Sequence, residues 1–241
     1  MKRFYEHAGV MQDEDGVAVI LDGKTVKTPA RRLLVLPNES IAKAVAREWA
    51  AQGETIDPDT MPLMRLAATA IDRVSDNRAA VVDEIAAYGE TDLVCYRTAE
   101  PDDLKARQAE NWQPLLDWCA DQLGARLAIT EGVIAAPQES YAIAALRRAV
   151  DGYDSMSLAA LHSIATATSS LVIALALAEG HMDAETSWRV SRVDESFQAE
   201  HWGVDEETLA QAGRLRATLF AAARFLGMCN YSSMQRERGA P

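Results

Sequence analysis

The densest collection of reactive side chains lies near the carboxyl end, where residues 194–211 read DESFQAEHWGVDEETLAQ. Six carboxylates, His201 and Trp202 crowd around Gly203. A histidine beside a carboxylate could move a proton, acids with a histidine could hold a metal, and charges beside an aromatic ring could grip a partner protein. Proton transfer by His201 with Glu195 or Asp205 is the weakest of the three, because no third group in the sequence orients the imidazole. Metal binding is little better supported. His7, His162, His181 and His201 form neither an H-E-x-x-H nor an H-x-x-x-H pair, the spacing that brings two ligands to one ion. Cys95, Cys119 and Cys229 are far apart and odd in number, which points to a reducing compartment and buried or free thiols. No G-x-x-x-x-G-K-[ST] loop is there to cradle phosphates, no G-x-G-x-x-G for a dinucleotide, and no G-x-S-x-G elbow for a serine nucleophile. No cofactor, metal or nucleotide is expected. The acid pairs Asp102–Asp103 and Glu206–Glu207 fall at expected helix starts, where they favour the positive end of the dipole. His162 reads as a core histidine with a hydrogen-bonded ring.

The elements that must position the carboxyl-terminal cluster are helical. Residues 184–202 read as one helix, with Val190, Val193, Phe197 and His201 on one face and Trp188, Arg192, Glu195, Ala199 and Trp202 on another. That geometry makes Arg192 and Glu195 an i to i+3 pair. It also points Asp194 and Glu195 about 100° apart, Glu195 nearly opposite the apolar side and Asp194 on its flank. Further helices are expected over 38–52, 62–74, 76–89, 101–123, 138–151, 156–179 and 205–228. The last carries a core stripe of Leu209, Ala212, Leu215, Leu219, Ala223 and Leu226. Strands are possible at 93–97 and 126–133.

The first forty residues have a different period. Val17, Val19 and Leu21 alternate with smaller neighbours, Asp22–Gly23 is a hairpin signal, and Pro29 and Pro37 punctuate the ends. Asn38 then caps a helix carrying Ile41, Val45 and Trp49. The expected fold class is therefore α+β, a small antiparallel β-rich domain over 1–37 followed by a larger, mainly helical domain over 38–241.

Composition removes several functions. The chain has 241 residues, 49% hydrophobic and 25% charged, ordinary for a folded protein, and its net charge is 24 − 36 = −12. Nucleic-acid binding needs clustered cations to displace counterions, so no nucleic acid is expected; a basic partner surface is favoured instead. Residues 155–178 carry no charge and are long enough to span a bilayer. His162 and several hydroxyls dilute them, however, and Asp154 and Glu179 flank them, so a buried core helix is expected and no membrane insertion. The opening MKRFYEHAGV has neither a signal-peptide core nor an Arg/Ser-rich transit segment.

Four stretches, RFY with LDGKTVKTP, AVAREWAAQGETIDPDTMPLMRLAATAID, ETDLVCYR, and SRVDESFQAEHWG, together resemble the assembly chaperone family for the alpha subunit of the rotary ATP synthase's catalytic head. The ordered combination is specific, above all E-W-x-x-Q…M-P and E-x-x-Q-x-x-x-W-G, and it runs from Arg3 to about Phe225. The resemblance implies a small β domain before a helical one, no enzymatic activity, and the free alpha subunit as partner, shielded until the beta subunit replaces it. It implies a cytoplasmic, bacterial-type member, or a processed chain in the mitochondrial matrix. The family's acidic pair falls on Asp194 and Glu195. Gln198, Trp202, Arg192 and Trp188 share that surface, and Trp49 is a further candidate contact, although core packing suits it as well. After the W-G turn members carry a further tryptophan and histidine that this chain lacks, so their contacts are not carried over. A protein-interaction module for a different client, or a small-molecule enzyme, are the alternatives.

Overall fold

The computed structural model describes residues 1–132 and 134–238. Strands β1 (Ala8–Asp13) and β2 (Gly16–Leu21) pair antiparallel with Val10 opposite Val19. Asp22 and Gly23 make the expected two-residue turn into β3 (Lys24–Thr25), with φ of +47° and +78°. Two consecutive positive φ values are what a type I′ hairpin needs, and Asp-Gly supplies them with little strain. Strand β4 (Val35–Leu36) pairs with the start of β2. A Cβ on Gly16, at φ +150°, would stand 2.3 Å from the Leu36 carbonyl oxygen, so only glycine lets β4 approach.

Helix α1 (Glu39–Ala50) packs on β1 and β2. Its cap is the one expected: Asn38 accepts from the Ile41 N–H at 2.9 Å, and Ile41, Val45 and Trp49 are buried. The E-W-x-x-Q…M-P motif proves to be a corner. Glu48 accepts from the backbone N–H groups of Leu63 and Met64 at 2.9 and 2.8 Å, capping α2 (Pro62–Thr69), whose N-cap residue Met61 has no side-chain acceptor to offer. Gln52, 6% exposed, donates to the Glu48 carbonyl and to Thr60, and accepts from the Asp57 N–H at 2.7 Å. The R-F-Y stretch ends on the same helix. Arg3 donates to the Gln52 carbonyl at 2.6 Å and the Tyr5 hydroxyl to the Trp49 carbonyl at 2.7 Å. Helix α2 runs on through a wide π turn at Ala70–Val74, and α3 (Arg78–Ala86) follows.

The chain then forms α4 (Asp102–Leu123), α5 (Ser140–Asp151), α6 (Ser155–Thr168), α7 (Leu171–Ala178), α8 (Ala184–Val190), α9 (Val193–Trp202) and α10 (Glu206–Arg238). This is an α+β architecture, a small antiparallel sheet followed by a mostly helical part. Two compact units result. One combines residues 1–78 with 154–160 and the chain from Arg224 onward; the other combines 79–153 with 161–223.

Two of the expected helices are each broken in two. The charge-free stretch divides between α6 and α7, because Ser169 takes φ +53° and Ser170 caps α7 by accepting from the Ile173 N–H at 3.0 Å. A second acceptor makes the break stable. The buried Asp92 carboxylate takes the Val172 N–H at 2.9 Å as well as the Val94 N–H at 3.2 Å. Leu171 to Ala176 are all buried, and among the described residues no helix is long and apolar enough to cross a membrane. The 184–202 helix divides at Ser191–Arg192. The expected strands mostly fail. Leu93–Cys95 is a 3-10 turn ahead of β5 (Tyr96–Arg97), which pairs in parallel with β6 (Thr130–Glu131). Only these two residues of the 126–133 run are strand, and Val133 lies outside the described residues.

Candidate functional site

The acidic carboxyl-terminal stretch falls in the second unit, on α9 and the first turns of α10, with α8 leading into it. Asp183 opens α8 by accepting from the Thr186 N–H at 2.7 Å. The helix stops because the Ser191 hydroxyl donates to the Trp188 carbonyl at 2.8 Å and Arg192 leaves helical geometry at φ −120°, ψ 24°. Helix α9 restarts at Val193. The break does not scatter the apolar face: Val190, Val193 and Phe197 are all buried. The Trp112 indole of α4 donates to the Val190 carbonyl at 2.8 Å, so α8 and α9 are anchored to α4.

The candidate contact residues separate into holders and presenters. Arg192 is a holder. Its guanidinium reaches Glu195 at 2.8 Å and the Ala167 carbonyl at 3.2 Å, and lies 5.0 Å from the centre of the half-buried Trp188 ring. The expected Arg192–Glu195 pair thus forms even though Arg192 precedes α9. Asp194 is another holder, half-buried, accepting from the Gln108 amide at 2.8 Å. Behind it stands Arg97, 7% exposed and stacked at 5.3 Å on Trp112. Burial pulls the Arg97 guanidinium below its ordinary pKa, while the negative charge of Asp194 acts the other way. Glu200 is clamped by Arg107 at 2.7 and 2.8 Å, which holds its carboxyl below the usual range. A polar cavity of about 420 Å³ lies here, lined in part by Arg107, Asn111, Arg189, Ser196 and Glu200.

The presenters face solvent. Glu195 and Gln198 are exposed, and Trp202 is 76% exposed. Gly203, at φ +76°, ends α9, and Asp205 caps α10 by accepting from the Thr208 N–H at 2.9 Å. Val204 (44% exposed) and Leu209 (57%) are the exposed apolar residues of the segment that follows. Leu209 was expected in the core stripe of the last helix, but burial begins only at Leu219, followed by Ala222, Phe225 and Leu226. The signal for that error was in the sequence, since a glycine turn and three acids within residues 203–207 leave little to bury the next turn. Trp49 is not on this ridge; it lies in the other unit, 9% exposed.

His201 is exposed, its Nδ1 2.8 Å from the Phe197 carbonyl and its ring stacked on Phe197 at 4.1 Å. It meets a backbone oxygen and an aromatic ring, so neither Glu195 nor Asp205 completes a catalytic dyad with it. The His162 ring is hydrogen-bonded as expected, its partner being Glu84 at 3.2 Å, but it is half-exposed and not in the core. All three cysteines are buried, and burial raises the Cys119 and Cys229 thiols to about 12, leaving no thiolate at neutral pH. Among the described residues no three His, Cys, Asp or Glu side chains converge as metal ligands.

Exposed acids and one bare tryptophan thus stand on a helix held from behind by Gln108, Arg107 and Trp112, an arrangement suited to contact with another macromolecule. Comparison with known proteins gives the family: the chain belongs to the ATP12 chaperones, which serve ATP synthase assembly and are not enzymes. The family model described as ATP12 chaperone protein matches residues 2–120. Atp12 from Paracoccus denitrificans superposes with a TM-score of 0.89 at 43% identity, over 95% of this chain and 98% of that one. The Atu1473 protein from Agrobacterium tumefaciens gives 0.89 at 40% identity, over 94% and 85%. Protein atp12, mitochondrial, of Schizosaccharomyces pombe is 22% identical over 218 residues, 86% of this chain and 75% of that protein.

Proposed function

We propose that this chain binds the free alpha subunit of the ATP synthase catalytic head and covers its subunit interface until the beta subunit takes its place. The observation that carries the reading is the exposed ridge of Glu195, Gln198 and Trp202 on a rigidly held helix. A bare tryptophan flanked by carboxylates suits a partner surface that offers an apolar pocket beside arginine or lysine. Glu195, Gln198 and Trp202 touch the client in this reading, while Asp194, Arg192 and Trp188 fix their positions. Exposed interfaces on unassembled subunits aggregate. A chaperone that uses no nucleotide protects them by mass action and is displaced by a tighter-binding partner. The compartment proposed is the bacterial cytoplasm, or the mitochondrial matrix for a processed chain.

The test is a binding titration of purified alpha subunit against wild type, Trp202→Ala and Glu195→Lys, with thermal melting of each. Truncating a central exposed tryptophan should cost about 2 kcal/mol or more, roughly thirty-fold in affinity, with the melting temperature nearly unchanged. Binding by both variants at wild-type strength would remove the ridge from the interface.

A further inference from the structure

The first unit holds a second concave surface that the ridge does not use. A cavity of about 530 Å³ is lined in part by Phe4, Tyr5, Lys24, Lys27 and Trp49. Its aromatic floor is ordered: Tyr5 stands edge-on to Trp49 at 5.7 Å and Phe4 edge-on to Tyr5 at 5.4 Å. Phe4 is 65% exposed, an unusual place for a phenylalanine with no covering partner. The Trp49 indole N–H is buried and, among the described residues, has no hydrogen-bond acceptor.

Charge adds a direction. Lys24 and Lys27 are exposed on the same rim, and among the described residues neither has an ion-pair or hydrogen-bond partner through its side chain. The one carboxylate in the lining, Asp22, is already held by the backbone N–H groups of Glu6 and His7. Residues 1–37 carry six Lys and Arg against five Asp and Glu, a net of 6 − 5 = +1, in a chain whose total is −12. The cleft is therefore a cationic spot on an acidic molecule.

We propose that this cleft is a second polypeptide-binding site, taking an extended client segment that carries an apolar side chain next to a carboxylate. The apolar side chain packs on Phe4, Tyr5 and Trp49, and the carboxylate pairs with Lys24 or Lys27. Aromatic floors with a few placed polar groups are the ordinary make-up of small recognition sites. The inference rests on the chaperone reading for the source of the segment, but not on the ridge, and it gives the sheet unit a client contact of opposite charge preference.

The experiment follows the Trp49 indole N–H resonance of the full chain, assigned by its loss in Trp49→Phe. The probes are acetylated, amidated pentapeptides of alternating leucine with glutamate, and of leucine with lysine, with octanoate as a small carboxylate. The glutamate peptide should shift the indole proton, the lysine peptide should not, and Lys24→Glu/Lys27→Glu should weaken the effect at least tenfold. No shift with the glutamate peptide, or equal shifts with both peptides, overturns the proposal. Tighter binding of octanoate than of the peptide overturns it in favour of a small-molecule site. Failure of the alpha subunit to bind wild type, with the peptide shift intact, would sink the client assignment and leave the cleft standing.

Discussion

Asp194 and Glu195 are neighbours in the chain, yet Gln108 holds the first carboxylate in a half-buried setting and Arg192 holds the second at the solvent edge. The same charge reversal should therefore act differently at the two. Glu195→Lys loses one exposed ion pair and should change unfolding free energy by only about 0.5 kcal/mol. Asp194→Lys places a cation beside the buried Arg97 and strips Gln108 of its acceptor, and should cost about 2–4 kcal/mol. Urea unfolding of the two variants separates them; equal losses would show that both acids are structural or neither is. Trp49→Ala removes a 9%-exposed ring that packs edge-on against Tyr5. A loss of about 3–5 kcal/mol is expected in the same assay.

At the scale of elements, the helix breaks are where the sequence periodicity was least informative and the capping chemistry most decisive. Asp92 illustrates this. Fully buried, it accepts from Val94 and Val172, joining a 3-10 turn to the start of α7. Burial pushes its carboxyl up to about 6, against 3.8 when unfolded, and its hydrogen bonds only partly oppose that. A raised acid favours the folded state when protonated, so its contribution is complete below about pH 3.8 and is lost as pH rises through about 6. The stability of wild type relative to Asp92→Asn should fall by up to about 3 kcal/mol between pH 4 and pH 7. A difference that stays constant or grows over that range would mean that Asp92 is charged throughout. Glu48 works in the same way at the corner between α1 and α2, and Glu48→Ala should cost about 1–2 kcal/mol by uncapping α2, read by chemical denaturation.

For the whole molecule, the net charge of −12 sets how it meets a partner. In the proposed complex an acidic chaperone would be steered toward a basic client surface, so capture of the proposed client, the alpha subunit, should slow by about tenfold or more between roughly 20 mM and 500 mM salt. Stopped-flow association would record it. A salt-independent rate would assign recognition to the exposed apolar residues Trp202, Val204 and Leu209.

What the sequence determined by itself was local. The Asp22–Gly23 turn, the Asn38 cap and the apolar stripe through Val45 and Trp49 each follow from the conformational preference of one or two residues, and all are found where they were read. The motifs that carried the family resemblance were legible too, though not their purpose. Glu48 and Gln52 look like surface polar residues until α2 and the Asp57–Thr60 turn are folded back against them. Distance in sequence hid the remainder. Whether an acid is held or presented depends on Gln108, Arg97 and Arg107, about ninety residues upstream on α4 and β5. Likewise the division of one charge-free run into α6 and α7 depends on Asp92, a carboxylate from another segment that can satisfy the freed Val172 N–H. Periodicity records which residues share a face; only the tertiary structure decides what meets that face, because unpaired buried polar groups must find partners wherever the fold brings them.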